Sequence, residues 1–301
     1  MAGNFLKSIG KFILPVALVL AAQQIFGLWG GIIAIVVYFV AAALMNRTVF
    51  YQNRSNRKYQ EGDYQGALKD LEDAIRLNPK NWRNVGNYGT LLLKLGRVDE
   101  AAVQNAKAYE LCDKEDEKKG LGITKSLILW RQDKLDEAIA EMEKLLETYK
   151  NSNVYASLGF LYTEKGDLEK ALAFNLEARE FNDTNTIILD NLGYTYFLMG
   201  NIDEAEEIYK KLMSLKPTFP EAFYNYAMIH EIRGDLDQAV YLLRHALKLK
   251  FWHTSTITKE KVEAGVERID SILQKAAEEE KKERLARIKE EEQEQLNGNV
   301  E

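Results

Sequence analysis

Three histidines, one cysteine and forty-six aspartates and glutamates are the side chains from which acid–base, nucleophilic or metal chemistry would first be built. A metal site needs ligands paired at short spacing, and His245 and His253 have no cysteine, histidine or carboxylate at such a distance in sequence. His230 stands where Tyr162 and Tyr196 stand in equivalent stretches, so it reads as a packing residue. Cys112 has no histidine near it and lies at the end of a helical stretch; it reads as a structural thiol, and a single cysteine allows no intrachain disulfide. Lys119-Gly120-Leu121-Gly122 lacks the spacing and the Lys-Ser/Thr pair of a phosphate loop. The carboxylates recur as Asp-Glu-Ala, at Asp99-Glu100, Asp136-Glu137 and Asp203-Glu204. There they open helices, where negative charge favours the N-terminus. No catalytic constellation, metal site or cofactor site emerges, and the chain reads as a non-enzyme.

The elements carrying these residues are short and repeated. Thr186 to Phe219 reads as two amphipathic helices about a Gly-Asn turn, with Leu189, Leu192, Tyr196, Tyr209, Leu212 and Leu215 at helical spacing. Gly193 and Ala205 are small where the two helices would touch, and Pro217, lacking an amide hydrogen, ends the second. The pattern recurs with its turn at Gly62, Gly96, Asp133, Gly166, Gly200 and Gly234, and its small residue at Ala67, Ala101, Ala138, Ala171, Ala205 and Ala239. One step is three residues longer, around Asp113 to Lys119. Six copies run from Thr48 to His253, at about 48–81, 82–115, 119–152, 152–185, 186–219 and 220–253.

A period of about 34 residues with these positions resembles the tetratricopeptide repeat (TPR). Tyr155, Leu158, Gly159, Tyr162, Gly166, Ala171 and Ala178 occupy the family positions in the fourth copy; Val85, Tyr88, Gly89, Leu92, Gly96, Ala101 and Ala108 do so in the second. The third departs most, with Ser126, Asp133 and Leu145 in place of two glycines and an alanine. The resemblance implies an all-α, right-handed superhelical solenoid of six helix-turn-helix repeats over residues 47–253. It also implies a concave groove, lined by the first helix of each repeat, that holds a partner's peptide. The residue two places before the conserved glycine faces that groove in the family; here these are Asn53, Asn87, Thr124, Ser157, Asn191 and Asn225. A carboxamide can donate to a carbonyl and accept from an amide at once, so such a row suits an extended backbone, although it can equally bridge helices or bind water. Phe160, Tyr194 and Met228, one turn onward, and the nearby Tyr224 and Phe197 suit either an adaptable binding surface or packing between repeats. Asn56 and Asn87 match two positions of the subset that clamps acidic chaperone tails, but Gln52, Gly120 and Thr124 stand where its bases belong, which argues against that ligand.

Residues 1–46 are set apart because no charge occurs from Phe12 to Met45. As one straight helix these residues would reach about 51 Å, against a hydrocarbon core of about 30 Å. Breaks at Gln23, Gln24, Gly27 and Gly30-Gly31 suggest a transmembrane hairpin with arms near Ile9–Phe26 and Leu28–Met45 and Trp29 at the interface by the tip. Lys7 and Lys11 before it, and Arg47, Arg54, Arg57 and Lys58 after it, place both ends in the cytoplasm by the positive-inside rule, with the basic residues facing headgroups or only setting topology. A cleavable signal peptide, and a single span with an interfacial first segment, stay open as alternatives. The second arm is expected to run through Asn46 and Arg47 into the first repeat, since no glycine or proline falls between Ile32 and Glu61.

Residues 254–275 carry Val262, Val266, Ile269 and Leu273 on one face, as expected of a helix capping the last repeat, and 276–301 form a charged tail that is either a solvated helix or disordered. A formal net charge of -6 argues against a nucleic-acid partner. The expected function is a membrane-anchored scaffold that binds an extended peptide or partner protein. Two further readings remain: a regulatory or assembly subunit docking through its hairpin, and an extracytoplasmic envelope-assembly factor.

Overall fold

The computed structural model describes residues 2–45 and 47–298. Fourteen helices and no strand occur among them. α1 (Ala2–Met45) comes first. Six pairs follow: α2 (Arg47–Gln60) with α3 (Tyr64–Leu77), α4 (Trp82–Lys94) with α5 (Val98–Leu111), α6 (Glu115–Arg131) with α7 (Leu135–Thr148), α8 (Ser152–Lys165) with α9 (Leu168–Phe181), α10 (Thr186–Leu198) with α11 (Ile202–Ser214), and α12 (Pro220–Ile232) with α13 (Leu236–Ala246). The last helix is α14 (Lys259–Gly298). The pairs fall in the expected register, and the chain has the all-α repeat fold. The three extra residues of the longer step go into the start of α6, which has 17 residues where the other first helices have 13 or 14.

Local chemistry accounts for the pair boundaries. Gly62, Gly96, Gly166, Gly200 and Gly234 all sit at φ between 80° and 84°, the left-handed region that ends a helix without a Cβ clash, and Asp133 takes the same role at φ 61°. Asp63, Asp167 and Asp235 then accept amide hydrogens at the starts of α3, α9 and α13.

The chain forms two compact units. One holds the residues up to Leu91 together with Val103–Asp113; the other holds Leu92–Ala102 and the chain from Lys114 onward. In the first unit, α1 leaves helical geometry at Gly27 (φ 68°, ψ −164°), one of the expected break points. The bend brings the turns on either side together: a Cβ on Gly30 would stand 2.5 Å from the Ala22 carbonyl oxygen. The junction residue Asn46 and the side chains of Lys7 and Lys11 lie outside the described residues.

Arg54 and Lys58 correct the expectation that they face headgroups. Arg54 grips the fully buried Asp70 of α3 with both Nε (2.7 Å) and Nη2, and the Lys58 ammonium lies 3.1 Å from the same carboxylate. The Arg54 guanidinium holds the Asp70 carboxyl below its ordinary range, with Lys58 adding to the effect and burial opposing it. These two cations close the first repeat. Arg47 and Arg57 remain exposed, Arg57 lying 3.6 Å from Glu61.

In the second unit one apolar core runs from α10 through α14, with Leu189, Leu192, Tyr209, Leu212, Ile229, Leu243, Val262 and Ile269 all buried. α14 covers the sixth repeat with Val262 and Ile269 as expected, while Ile257 is buried ahead of the helix, whose start is Lys259. The same helix continues through the charged segment to Gly298. Gly193 shows why the first helix must be small at its contact: a Cβ there would stand 2.8 Å from the Tyr209 ring. Ser126 fills the equivalent place in α6 and satisfies its hydroxyl by donating to the Ala138 carbonyl at 2.9 Å.

Because Leu192 is fully buried between repeats, Leu192→Ala is expected to cost about 3 kcal/mol, read as a lowered urea midpoint of the second unit by tryptophan emission.

Candidate binding groove

Four first helices of the second unit, α6, α8, α10 and α12, line a groove of about 700 Å³. Ser157, Phe160, Asn191, Tyr194 and Asn225 line it as expected. Thr124, Tyr224 and Met228 are not among its lining residues; Tyr224 packs against the core with the Lys261 ammonium 5.1 Å from its ring. Asn53 and Asn87 belong to the first unit, where both are exposed.

The two buried asparagines bind the protein itself. Asn191 on α10 donates its amide to the Ala156 carbonyl on α8 at 2.7 Å, and Asn225 on α12 donates to Asp190 Oδ1 at 3.3 Å. Both bonds bridge neighbouring first helices, which is the second of the two roles open to such a row. Their amide hydrogens set the spacing between repeats, so a ligand meets mainly the remaining polar edge and the aromatic rings.

Several lining residues carried no signal at the level of sequence. Trp130 meets Phe160 edge-on, with ring centroids 4.8 Å apart, and its indole N–H is aimed at Glu164. Glu164 is exposed on the groove, yet the protein around its carboxyl desolvates it and raises its pKa, against the indole and the charge of Arg131. Asp190 is buried and accepts from the Tyr209 hydroxyl at 2.9 Å. Burial raises its pKa to about 7; the charge of Glu221 adds to the shift, and the bonds from Tyr209 and Asn225 oppose it. A helical period marks Asp190 as a residue of α10 but does not tell that it points between helices.

The segment 250–256 closes one side of the groove. The Arg131 guanidinium on α6 donates to the Ser255 carbonyl at 2.9 Å, the His253 amide donates to the Lys94 carbonyl at 2.9 Å, and the Thr256 amide donates to Glu221 at 3.1 Å. The Lys94 ammonium stands 5.1 Å from the Trp252 ring, and Gly96 leaves room for the His253 ring, 3.2 Å from where a Cβ would be. This connection is a strap tied to the repeats through its main chain. His245 stacks on Phe223 at 4.2 Å and His230 packs on Tyr226 at 4.5 Å, so both serve packing. Among the described residues no three His, Cys, Asp or Glu side chains gather to hold a metal ion.

A family model described as "Tetratricopeptide repeat" matches residues 58–107, and two more so described match 188–219 and 208–241. The BBSome complex member BBS4 of Bos taurus is 28% identical over 60% of this chain and 34% of its own length. The TPR repeat-containing protein MJ1428 of Methanocaldococcus jannaschii is 23% identical over 69% of this chain and 32% of its own. The chain thus spans about a third of these relatives. A tetratricopeptide repeat protein from Parabacteroides merdae superposes with a TM-score of 0.62 at 14% identity, over 85% of this chain and 99% of that one. PilW, described as a type IV pilus biogenesis factor, superposes with a TM-score of 0.54 at 18% identity, over 66% and 91%. Both likenesses show the fold.

Two outcomes follow from this geometry. The folded Asp190 carboxyl keeps its proton to about pH 7, whereas its ordinary value is 3.8, so across that window the folded chain binds the extra proton and stability falls as pH rises. Asp190→Asn removes this slope, and the urea midpoint of the variant relative to the parent is expected to be higher at pH 8 than at pH 5. Arg131→Ala frees the Ser255 carbonyl, and hydrogen exchange at the amides of residues 252–256 is expected to accelerate while that of α10 stays unchanged.

Proposed function

Since the chain is a tetratricopeptide repeat protein, we propose that it works as a membrane-anchored, non-catalytic interaction scaffold whose groove between α6 and α12 holds an extended segment of a partner protein. Repeats of this kind serve protein partners in general. The observation that carries the finer reading is the groove itself, large enough for several residues, walled by Phe160, Tyr194 and Trp130 and edged by Ser157, Asn191 and Asn225. The strap supports it, because Arg131 and Glu221 already bind a non-helical stretch of chain through its main-chain atoms.

Anchoring is supported by α1. Its stretch Val16–Val40 is long and apolar enough to cross a membrane. Ile25, Phe26 and Trp29 are 71%, 72% and 73% exposed, a continuous apolar surface that water solvates poorly and lipid does not. The bend at Gly27 favours a hairpin within the bilayer, and the basic residues flanking residues 9–45 favour repeats on the cytoplasmic side. Tethering raises the local concentration of whatever the groove holds, so modest affinity suffices.

Photo-crosslinking from positions 157 and 194 in native membranes tests both parts. The full chain is expected to resist carbonate extraction and to label a partner protein. A chain lacking residues 2–45 is expected to label the same partner from the soluble fraction. Labelling of neighbouring repeats alone rejects the groove, and loss of the partner on that deletion assigns docking to the hairpin instead.

A further inference from the structure

Resting on the peptide-groove reading, the groove's charge narrows what the bound segment must carry. Three carboxyl groups line it: Glu164 near the C-terminal end of α8, Glu221 at the start of α12, and the buried Asp190 on α10, which holds its proton to about pH 7 and leaves the negative charge to the other two. Several carboxylates elsewhere in the second unit are paired with bases. Lys125 holds Glu141, Lys211 holds Asp183, Arg268 holds Glu231 and Arg244 holds Asp270. Among the described residues, none of the three groove carboxylates makes an ion pair with a side chain of the protein. Their contacts are neutral donors: the Trp130 indole, the Tyr209 hydroxyl, the Asn225 amide and the Thr256 main-chain amide.

Two cations belong to the same surroundings and are otherwise engaged. Arg131 is tied to the Ser255 carbonyl, and its charge reaches Glu164 and Glu221 without closing onto either. The Lys250 ammonium lies 5.3 Å from the Trp252 ring. Tyr194 lines the same groove, and its hydroxyl pKa is raised by burial first and then by Glu164, Tyr224 and Asp190. The carbonyl end of the α8 dipole adds to the negative potential beside Glu164. Phe160 and Phe219 supply further aromatic surface in the same groove. Aromatic faces interleaved with unpaired carboxylates suit an organic cation, which gains from the ring quadrupoles and from charge-assisted hydrogen bonds together.

We infer that the partner segment presents a lysine or arginine side chain into this groove, with its charged head between Glu164 and Glu221. The aliphatic stem of such a side chain packs on Phe160 and Tyr194, and its main chain runs past the polar edge. A basic segment is therefore selected by a subsite within the groove, in contrast to the acidic ligands that a row of bases would capture.

The test uses three pools of acetylated, amidated random hexapeptides that differ only in one fixed central residue: lysine, norleucine or glutamate. Each pool is presented to the full chain in detergent micelles, and retained peptide is quantified. Retention of the lysine pool is expected to exceed that of the norleucine pool on the order of tenfold, with the glutamate pool lowest. The double variant Glu164→Gln/Glu221→Gln, with far-UV circular dichroism unchanged, is expected to hold the lysine and norleucine pools alike. Glu147→Gln, an exposed acid on α7, is expected to leave the preference intact. Equal retention of all three pools overturns the basic-residue inference and leaves peptide binding standing. A lysine preference that survives the double variant also overturns it, since the general acidity of the chain then accounts for the effect. Retention of no pool overturns the peptide-groove reading along with it. Loss of lysine-pool retention when millimolar n-butylammonium is added, with that amine alone saturating the groove, overturns the commitment to a peptide and assigns the subsite to a free cation.

Discussion

Everything in the second unit depends on how closely a first helix can approach its second helix and the next repeat. At each crossing one partner has a side chain of almost no size. Ala138, Ala171, Ala205 and Ala239 are all fully buried on the second helices, while on the first helices Ser126 meets the Ala138 carbonyl, Gly159 leaves room for Asn175, and Gly193 leaves room for Tyr209 and Ile208. A helix of 13 or 14 residues has little stability of its own, so its apolar stripe must be covered on both flanks by neighbours. Small residues at the crossing let Leu158, Leu161, Ile188, Leu189 and Leu192 reach across to the next repeat and be sealed.

Close approach also brings polar groups together away from water, and several of them bond from one repeat to the next. Thr163 and Thr195 hydroxyls stand 3.0 Å apart, and the Asn175 amide reaches both. Asn191 and Asn225 continue this bridging along the groove side. An unpaired carboxamide at these depths would be costly, so its use as a helix tie is decided by the packing. The groove that remains is an outcome of the same ties. They hold α8, α10 and α12 at a separation that leaves an aromatic-walled space between the rows, and the strap over residues 250–256 bounds it.

Helical pairs, their turns and their order were legible in the chain because each depends on residues a few places apart. Gly200 ends one helix and Ala205 lies one turn into the next wherever the chain is read, and Asp133 could be recognised as a stand-in for glycine from its place in the row. The groove was legible only in part. Ser157, Phe160, Asn191, Tyr194 and Asn225 line it and inherit the period, whereas Thr124, Tyr224 and Met228 share that period and lie outside the lining. Arg54 and Lys58 looked like surface bases because their partner, Asp70, is on the opposite helix of the hairpin, 16 residues beyond Arg54.

What the sequence by itself determined is therefore what a 34-residue period and an uncharged stretch can encode: an all-α repeat, its register, its capping helix and a separate apolar N-terminal segment. The tertiary structure alone decided which polar residues are tied to the protein itself. It turned the asparagine amides inward, buried Asp190 beside Tyr209, and joined Arg131 to Ser255 across 124 residues. Hydrophobic periodicity is a local property of one helix. Burial and pairing of charge depend on which helices face one another, and that is settled only when the repeats stack.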